Sequence, residues 1–205
     1  MGRPPATAHR EGTADRILAS ALAVFARVGF AQARLADIAA GAGIRRPSLL
    51  YHFDTKERLY AAVVDRSFAR LGQVLGEVMA RPGLFADQLE ALARTFTADL
   101  AAHPDDARVI VRELVAGEGP GQVILLQQVV PLLGRVVAFL EAEGASHLRP
   151  GLPVRAAVLQ VVAHVLLQAS AQPPLQEALW GTPDPDGVWA LARGLFLAHP
   201  ATAES

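Results

Sequence analysis

A chain of 205 residues, 52 % of them hydrophobic, is long enough for one large helical unit or for a small domain joined to a medium one. It has no cysteine, which excludes disulfides, thiolate metal sites and a cysteine nucleophile together. Its net charge of -1 conceals a division: residues 1–60 carry nine Lys and Arg against five Asp and Glu, and residues 61–205 carry ten against fifteen. A basic head on an acidic body points to a polyanionic partner for the head.

The first twelve residues, MGRPPATAHREG, lack the apolar stretch of a signal peptide and read as a flexible basic arm. Beyond them, strand signals are scarce and apolar residues recur at helical spacing. Ile17, Ala21, Phe25 and Val28 form the first stripe, which Gly29 ends. Leu35, Ile38 and Ala39 open a short second helix, and a third covers 49–53. A long helix is expected over 55–80, carrying Tyr60, Val64, Phe68, Leu71, Leu75 and Val78, and Arg81-Pro82-Gly83 closes it. Further helices are expected over 84–102, 105–115, 122–143, 153–171 and 187–198, with His103-Pro104 and the glycine- or proline-rich segments 117–121, 144–151, 172–174 and 181–186 between them. The class is all-α, with about nine helices. The longest apolar run, 154–167, contains Arg155, Gln160 and His164 and falls short of the roughly 20 residues a membrane span needs. A soluble, cytoplasmic protein is expected, with no membrane partner.

The most informative stretch is residues 34–56, RLADIAAGAGIRRPSLLYHFDTK. It reads as a short helix, a tight Ala42-Gly43-Ile44 turn and a second short helix. Gly43 supplies the positive φ that lets two helices cross steeply, and Ile44 plugs the space between them. At about 100° per residue, Leu49 and Phe53 turn inward while Pro47, Ser48, Tyr51 and His52 gather on the opposite face. Such a helix fits a DNA major groove. Arg45 and Arg46 stand at its N-terminus to meet a base edge or a phosphate, Lys56 opens the next helix as a phosphate clamp, and Asp54 or Thr55 caps that helix. Arg3, His9 and Arg10 of the arm either reach the DNA or hang free.

The same residues carry a family resemblance. Arg16-Ile-Leu, Phe25, Gly29-Phe30, Asp37-Ile-Ala, Ala42-Gly43-Ile44, Ser48-Leu-Leu-Tyr-His-Phe53 and Lys56-Glu57 with Leu59 resemble, in register over about 13–60, the N-terminal domain of the TetR (tetracycline-repressor-like) regulators. The resemblance implies a homodimer of all-α subunits that binds double-stranded operator DNA through residues 13–60. It also implies a helical body, 61–205, that binds a small-molecule effector and forms the dimer. Two positions depart from the family pattern. Arg34 stands where Ser or Thr usually caps the second helix, giving up a cap of about 1 kcal/mol and offering a phosphate contact in its place. Leu50 stands where Tyr is common.

The body carries no catalytic or metal-binding signature. Segment 117–121 is no phosphate loop, since no strand precedes it and no Gly-Lys-Ser/Thr follows, and the six histidines lack ligand spacing. No cofactor is expected. Candidate effector contacts are the apolar Phe68, Phe96 and Phe139 and the polar Arg112, Gln128 and His164; Phe85 is a further apolar candidate. Pro131 inside 122–143 either opens a cavity by kinking its helix or follows the body's curvature. Gln160, His164 and Gln168 recur at i, i+4, i+8 on an apolar helix. They find partners across a two-fold axis or line a pocket. The dimer is expected through 153–199, with Val158, Val162, Val165 and Trp189 in the interface. The rival reading is a helical protein-interaction module without sequence-specific DNA binding.

Overall fold

The computed structural model describes residues 6–198 apart from 118, 183 and 185. Among these residues there are ten helices and no strand, only an isolated antiparallel bridge between Leu148 and Leu197. In chain order they are α1 (Ala6–Gln32), α2 (Leu35–Gly41), α3 (Arg46–His52), α4 (Lys56–Met79), α5 (Phe85–Ala102), α6 (Pro104–Val115), α7 (Pro120–Glu143), α8 (Val154–Ser170), α9 (Pro173–Trp180) and α10 (Gly187–Phe196). They fall into two compact units. The first takes the residues up to Ala69 together with Asp105–Val129, and the second takes Arg70–Pro104 and the residues from Val130 on. The helix-turn-helix segment therefore shares a unit with α6 and the start of α7.

In the first unit the inward stripe of α1 meets α2, α3 and the start of α4. Ile17, Ala21, Phe25, Ile38, Leu49, Leu59 and Tyr60 are all at most 1 % exposed, and burying a large aliphatic or aromatic side chain so fully contributes about 1.5–3 kcal/mol. Phe25 and Phe30 both meet Tyr60 edge-on, at centroid distances of 4.9 and 5.1 Å. Ser20 Oγ donates to the Ile38 carbonyl at 2.8 Å, and α2 comes so close there that a Cβ on Gly41 would collide with that hydroxyl. Helix α1 starts at Ala6, so the segment expected as a flexible arm is already helical from that residue. Arg3 and the side chains of His9 and Arg10 lie outside the described residues.

In the second unit α10 packs against α5 and α8. Leu89, Leu92, Leu100, Val158, Val165, Val188, Ala192 and Phe196 are buried there. Arg70 grips Asp99 with two bonds of 3.0 Å. Helix α9 is the element that the sequence pattern does not announce. Pro173 and Pro174 read as a break, yet they occupy the first helical positions, where a missing N–H costs nothing. None of its residues is buried. Helix α7 continues through Pro131. It is also the one described helix long and apolar enough to cross a membrane by length and composition, with only 22 % of its most apolar window buried. That corrects the placing of the longest apolar run at 154–167: the most apolar 18-residue stretch of α7 has a mean hydropathy of 2.0 even though glutamines, Pro131 and Gly134 punctuate it.

Candidate nucleic-acid interface

The turn between α2 and α3 is built from backbone bonds. Gly43, at φ 68°, donates to the Ala40 carbonyl, and the Ile44 N–H reaches back to Ala39, both at 3.0 Å. These two bonds satisfy the last carbonyls of α2 in a Schellman motif, which requires the left-handed residue that glycine accommodates. The chain then leaves through Arg45, in extended conformation, to start α3 with Arg46 and Pro47 in its first turn.

Helix α3 buries one residue, Leu49. Arg45, Arg46, Pro47, Ser48 and Tyr51 are exposed and His52 is half-buried, while Leu50 and Phe53 are half-buried at the edge of the packed face. Tyr51 is 71 % exposed, and its ring meets His52 edge-on at 5.8 Å. Among the described residues Arg34, Arg45 and Arg46 make no ion pair. Arg34 is the N-cap residue of α2, extended and without a side-chain capping bond.

The structure adds two residues from α1 that the sequence reading leaves out. Thr13 and Arg16 join Ile44, Pro47, Ser48, Tyr51 and His52 around an open concavity of about 510 Å³, and Arg16 donates to Thr13 Oγ1 at 3.3 Å. The available signal was phase: Thr13 and Arg16 flank buried Ile17 on the α1 face nearest the turn. Lys56 is more committed than a free phosphate clamp. Its ammonium donates to the Ala31 and Ala33 carbonyls at 3.1 and 3.3 Å and sits 4.6 Å above the Phe30 ring, leaving one of its three donors for another partner. Thr55 Oγ1 accepts the Arg58 N–H at 3.1 Å and is the cap of α4.

Behind this face lies a polar knot. Gly29 interrupts α1 at φ 78°, ψ 167°. Phe30 N–H donates to the buried Glu113 carboxylate at 3.0 Å, and the Ala26 carbonyl accepts from Arg112 Nε at 3.2 Å. The Tyr60 hydroxyl is buried without a hydrogen-bond partner among the described residues. Burial, assisted by the Glu113 charge, pushes its pKa well above the ordinary phenol range.

The six candidate effector residues are divided between the units. Phe68, Arg112 and Gln128 belong to the first, and Phe96, Phe139 and His164 to the second. Phe68 lines a cavity of about 10 Å³ with Leu22, Val64, Asp106 and Leu125, room for about one water; Ser67 donates to Asp106 there at 2.7 Å. Gln128 donates to Asp65, and Arg112 is held at Ala26. Phe96 and Phe139 are half-buried, and His164 meets Trp180 edge-on at 6.4 Å. Phe85 is buried beneath Gly144, where it excludes any larger side chain. Of the expected interface residues, Val162 and Trp189 are half-buried. Val158 and Val165 need correcting: at 6 % and 2 % exposure they already lie in the chain's own core. The open face of α8 instead carries Leu159, Ala163 and Leu167 at i, i+4, i+8, with Gln160 beside them.

Comparison with known proteins agrees with this geometry. Residues 17–63 match the family described as bacterial regulatory proteins, tetR family. The HTH-type transcriptional regulator RutR of Escherichia coli K12 is 34 % identical over 107 residues, 49 % of this chain and 47 % of that protein. The biofilm operon icaADBC HTH-type negative transcriptional regulator IcaR of Staphylococcus aureus is 34 % identical over 61 residues, 30 % of this chain and 33 % of that one. The chain spans about half the length of RutR, the first of the curated relatives it matches. The fold extends further. The fatty acid degradation regulator FadR from Bacillus halodurans superposes with a TM-score of 0.73 over 95 % of this chain and 96 % of its own, at 18 % identity. SCO3833, a member of the TetR transcriptional regulator family from Streptomyces coelicolor, does so at 0.67 over 88 % and 89 %, at 26 % identity.

Proposed function

Since residues 17–63 form a TetR-family N-terminal domain and the chain has a TetR-like fold, we propose that it is a cytoplasmic, DNA-binding transcriptional repressor that grips a palindromic operator as a homodimer. The observation that carries this reading is α3. A single buried leucine anchors it, Pro47, Ser48, Tyr51 and His52 line an open concavity with Arg16, and Arg45 and Arg46 are exposed at its start. Arginines that make no ion pair among the described residues, at the start of a short exposed helix, suit guanine edges and phosphates. Arg34 and the spare donor of Lys56 supply further phosphate contacts.

One such helix makes few base contacts, and two-fold pairing places two of them about one helical turn apart on the duplex. The stripe Leu159, Ala163 and Leu167 on α8 and exposed Leu191 on α10, flanked by Val162 and Trp189, are the surface assigned to that pairing. A small, largely apolar effector binds the helices between residues 61 and 170 and shifts operator affinity only as far as it prefers one head arrangement over another. Helix α7 is read as part of this effector domain and not as a membrane span, and no catalytic role is assigned.

The test uses duplexes enriched by the full-length protein from a random-sequence library. Enrichment of a palindromic site, with affinity that exceeds that for shuffled duplex and falls steeply with salt, is expected. Equal, weak binding to both duplexes would leave the chain a helical interaction module.

A further inference from the structure

In an unbroken α1 the Phe30 N–H would donate to the Ala26 carbonyl four residues back. Gly29 prevents this, because its ψ of 167° turns the Phe30 amide away from the helix axis. Both groups of the broken bond are nonetheless satisfied, and by adjacent residues of one element. On α6, Arg112 Nε donates to the Ala26 carbonyl at 3.2 Å, and Glu113 accepts from Phe30 N–H at 3.0 Å. The pair stands where the helix would have closed on itself. The site is built for the pair. Glu113 is 6 % exposed, and its carboxylate lies against the first turn of α7, where a Cβ on Gly121 would meet Oε2 at 2.5 Å. That helix end favours a negative charge. A Cβ on Gly29 would meet the Arg112 side chain at 3.0 Å, in a backbone region essentially confined to glycine.

We propose that Arg112 and Glu113 are positioning residues of the DNA reader, a two-residue plug that holds α1 open at Gly29 and so fixes the angle at which Phe30, α2 and α3 leave it. The inference rests on the repressor reading for its DNA consequence. Its structural half is independent of DNA. Withdrawing α6 leaves two buried backbone groups unpaired, at roughly 1–3 kcal/mol each. The nearest remedy is for α1 to close across Gly29, which re-aims everything after Phe30. The reader then has two discrete arrangements, and the position of α6 selects between them.

The experiment reads Gly29 directly. Backbone NMR shifts of Gly29 in the free, full-length protein report its φ and ψ. They are expected to be non-helical in the wild type and in Glu113→Gln, which keeps the acceptor, and helical in Glu113→Leu and Arg112→Met. For DNA, the probe is the duplex that the wild type enriches from a random library. Glu113→Leu and Gly29→Ala are each expected to lose affinity on the order of tenfold, the scale of a conformational coupling. Their combination should be no worse than the weaker single variant, since both empty the same plug. Unchanged Gly29 shifts in a folded Glu113→Leu or Arg112→Met protein overturn the proposal, as does strict additivity of the double variant. If Glu113→Leu does not fold, Arg112→Met and Gly29→Ala decide it. Failure to enrich any duplex counts against the repressor reading alone, because the Gly29 shifts still decide this one.

Discussion

At the scale of single residues, exposure and burial assign opposite roles to the two tyrosines. Tyr51 presents a large aromatic surface to solvent on the outward face of α3. Tyr51→Ala and Arg46→Ala are therefore expected to weaken operator binding by about 1–3 kcal/mol each, the range of a lost base contact. The dimer should persist, as sedimentation alongside the binding assay would reveal. Tyr60 is fully buried against the Phe25 and Phe30 rings, and its hydroxyl has no hydrogen-bond partner among the described residues. Tyr60→Phe is expected to raise unfolding stability by about 1 kcal/mol in urea titrations. A raised phenol pKa means that the folded chain holds its proton more tightly than the unfolded chain does. The stability linked to that proton is complete below the ordinary phenol range and declines as pH rises through and above it. The wild type should therefore lose stability at alkaline pH more steeply than Tyr60→Phe. Parallel alkaline profiles would argue against the buried phenol.

At the scale of the element, much was legible because punctuation and periodicity agreed. The positive φ at Gly43 and the inward turn of Leu49 follow from residue type and spacing alone, and Gly29 marks where α1 can break. Less legible was whatever depends on a distant neighbour. Arg112 reads as a polar residue in an effector domain, and only the fold brings it to Ala26. Helix α8 is apolar nearly all round, so its pattern cannot say which side meets the chain's own core; Val158 and Val165 turned out to be inside. Helix α9 was hidden by its own starting prolines. Helix α2 offers a direct test of a departure from pattern. Arg34→Ser should restore a capping bond and add about 1 kcal/mol of stability. The salt dependence of DNA binding should lose about one phosphate's worth of slope. A stabilised protein with an unchanged slope would make Arg34 merely a missing cap.

At the scale of the whole molecule, the division of charge matters as much as its sum. With residues 1–60 positive and the remainder negative, a duplex is attracted to the head and repelled by the body, which disfavours non-productive encounters. The pairing proposed above uses the open apolar stripe of α8. Replacing Leu159 and Leu167 together with Glu is expected to yield monomers by mass photometry at micromolar concentration. The first unit should stay folded and operator affinity should fall by more than tenfold, since a single reader remains. A dimer that survives this double substitution would move the interface to another face.

The single buried anchor of α3 has a consequence for how such a reader diversifies. Leu49 and the glycine turn hold the helix, and the exposed Arg45, Arg46, Pro47 and Ser48 contribute little to the core. Address and chassis are encoded by different residues, so the address can be rewritten by point changes while the chassis is inherited intact, by natural drift or by an engineer at the bench.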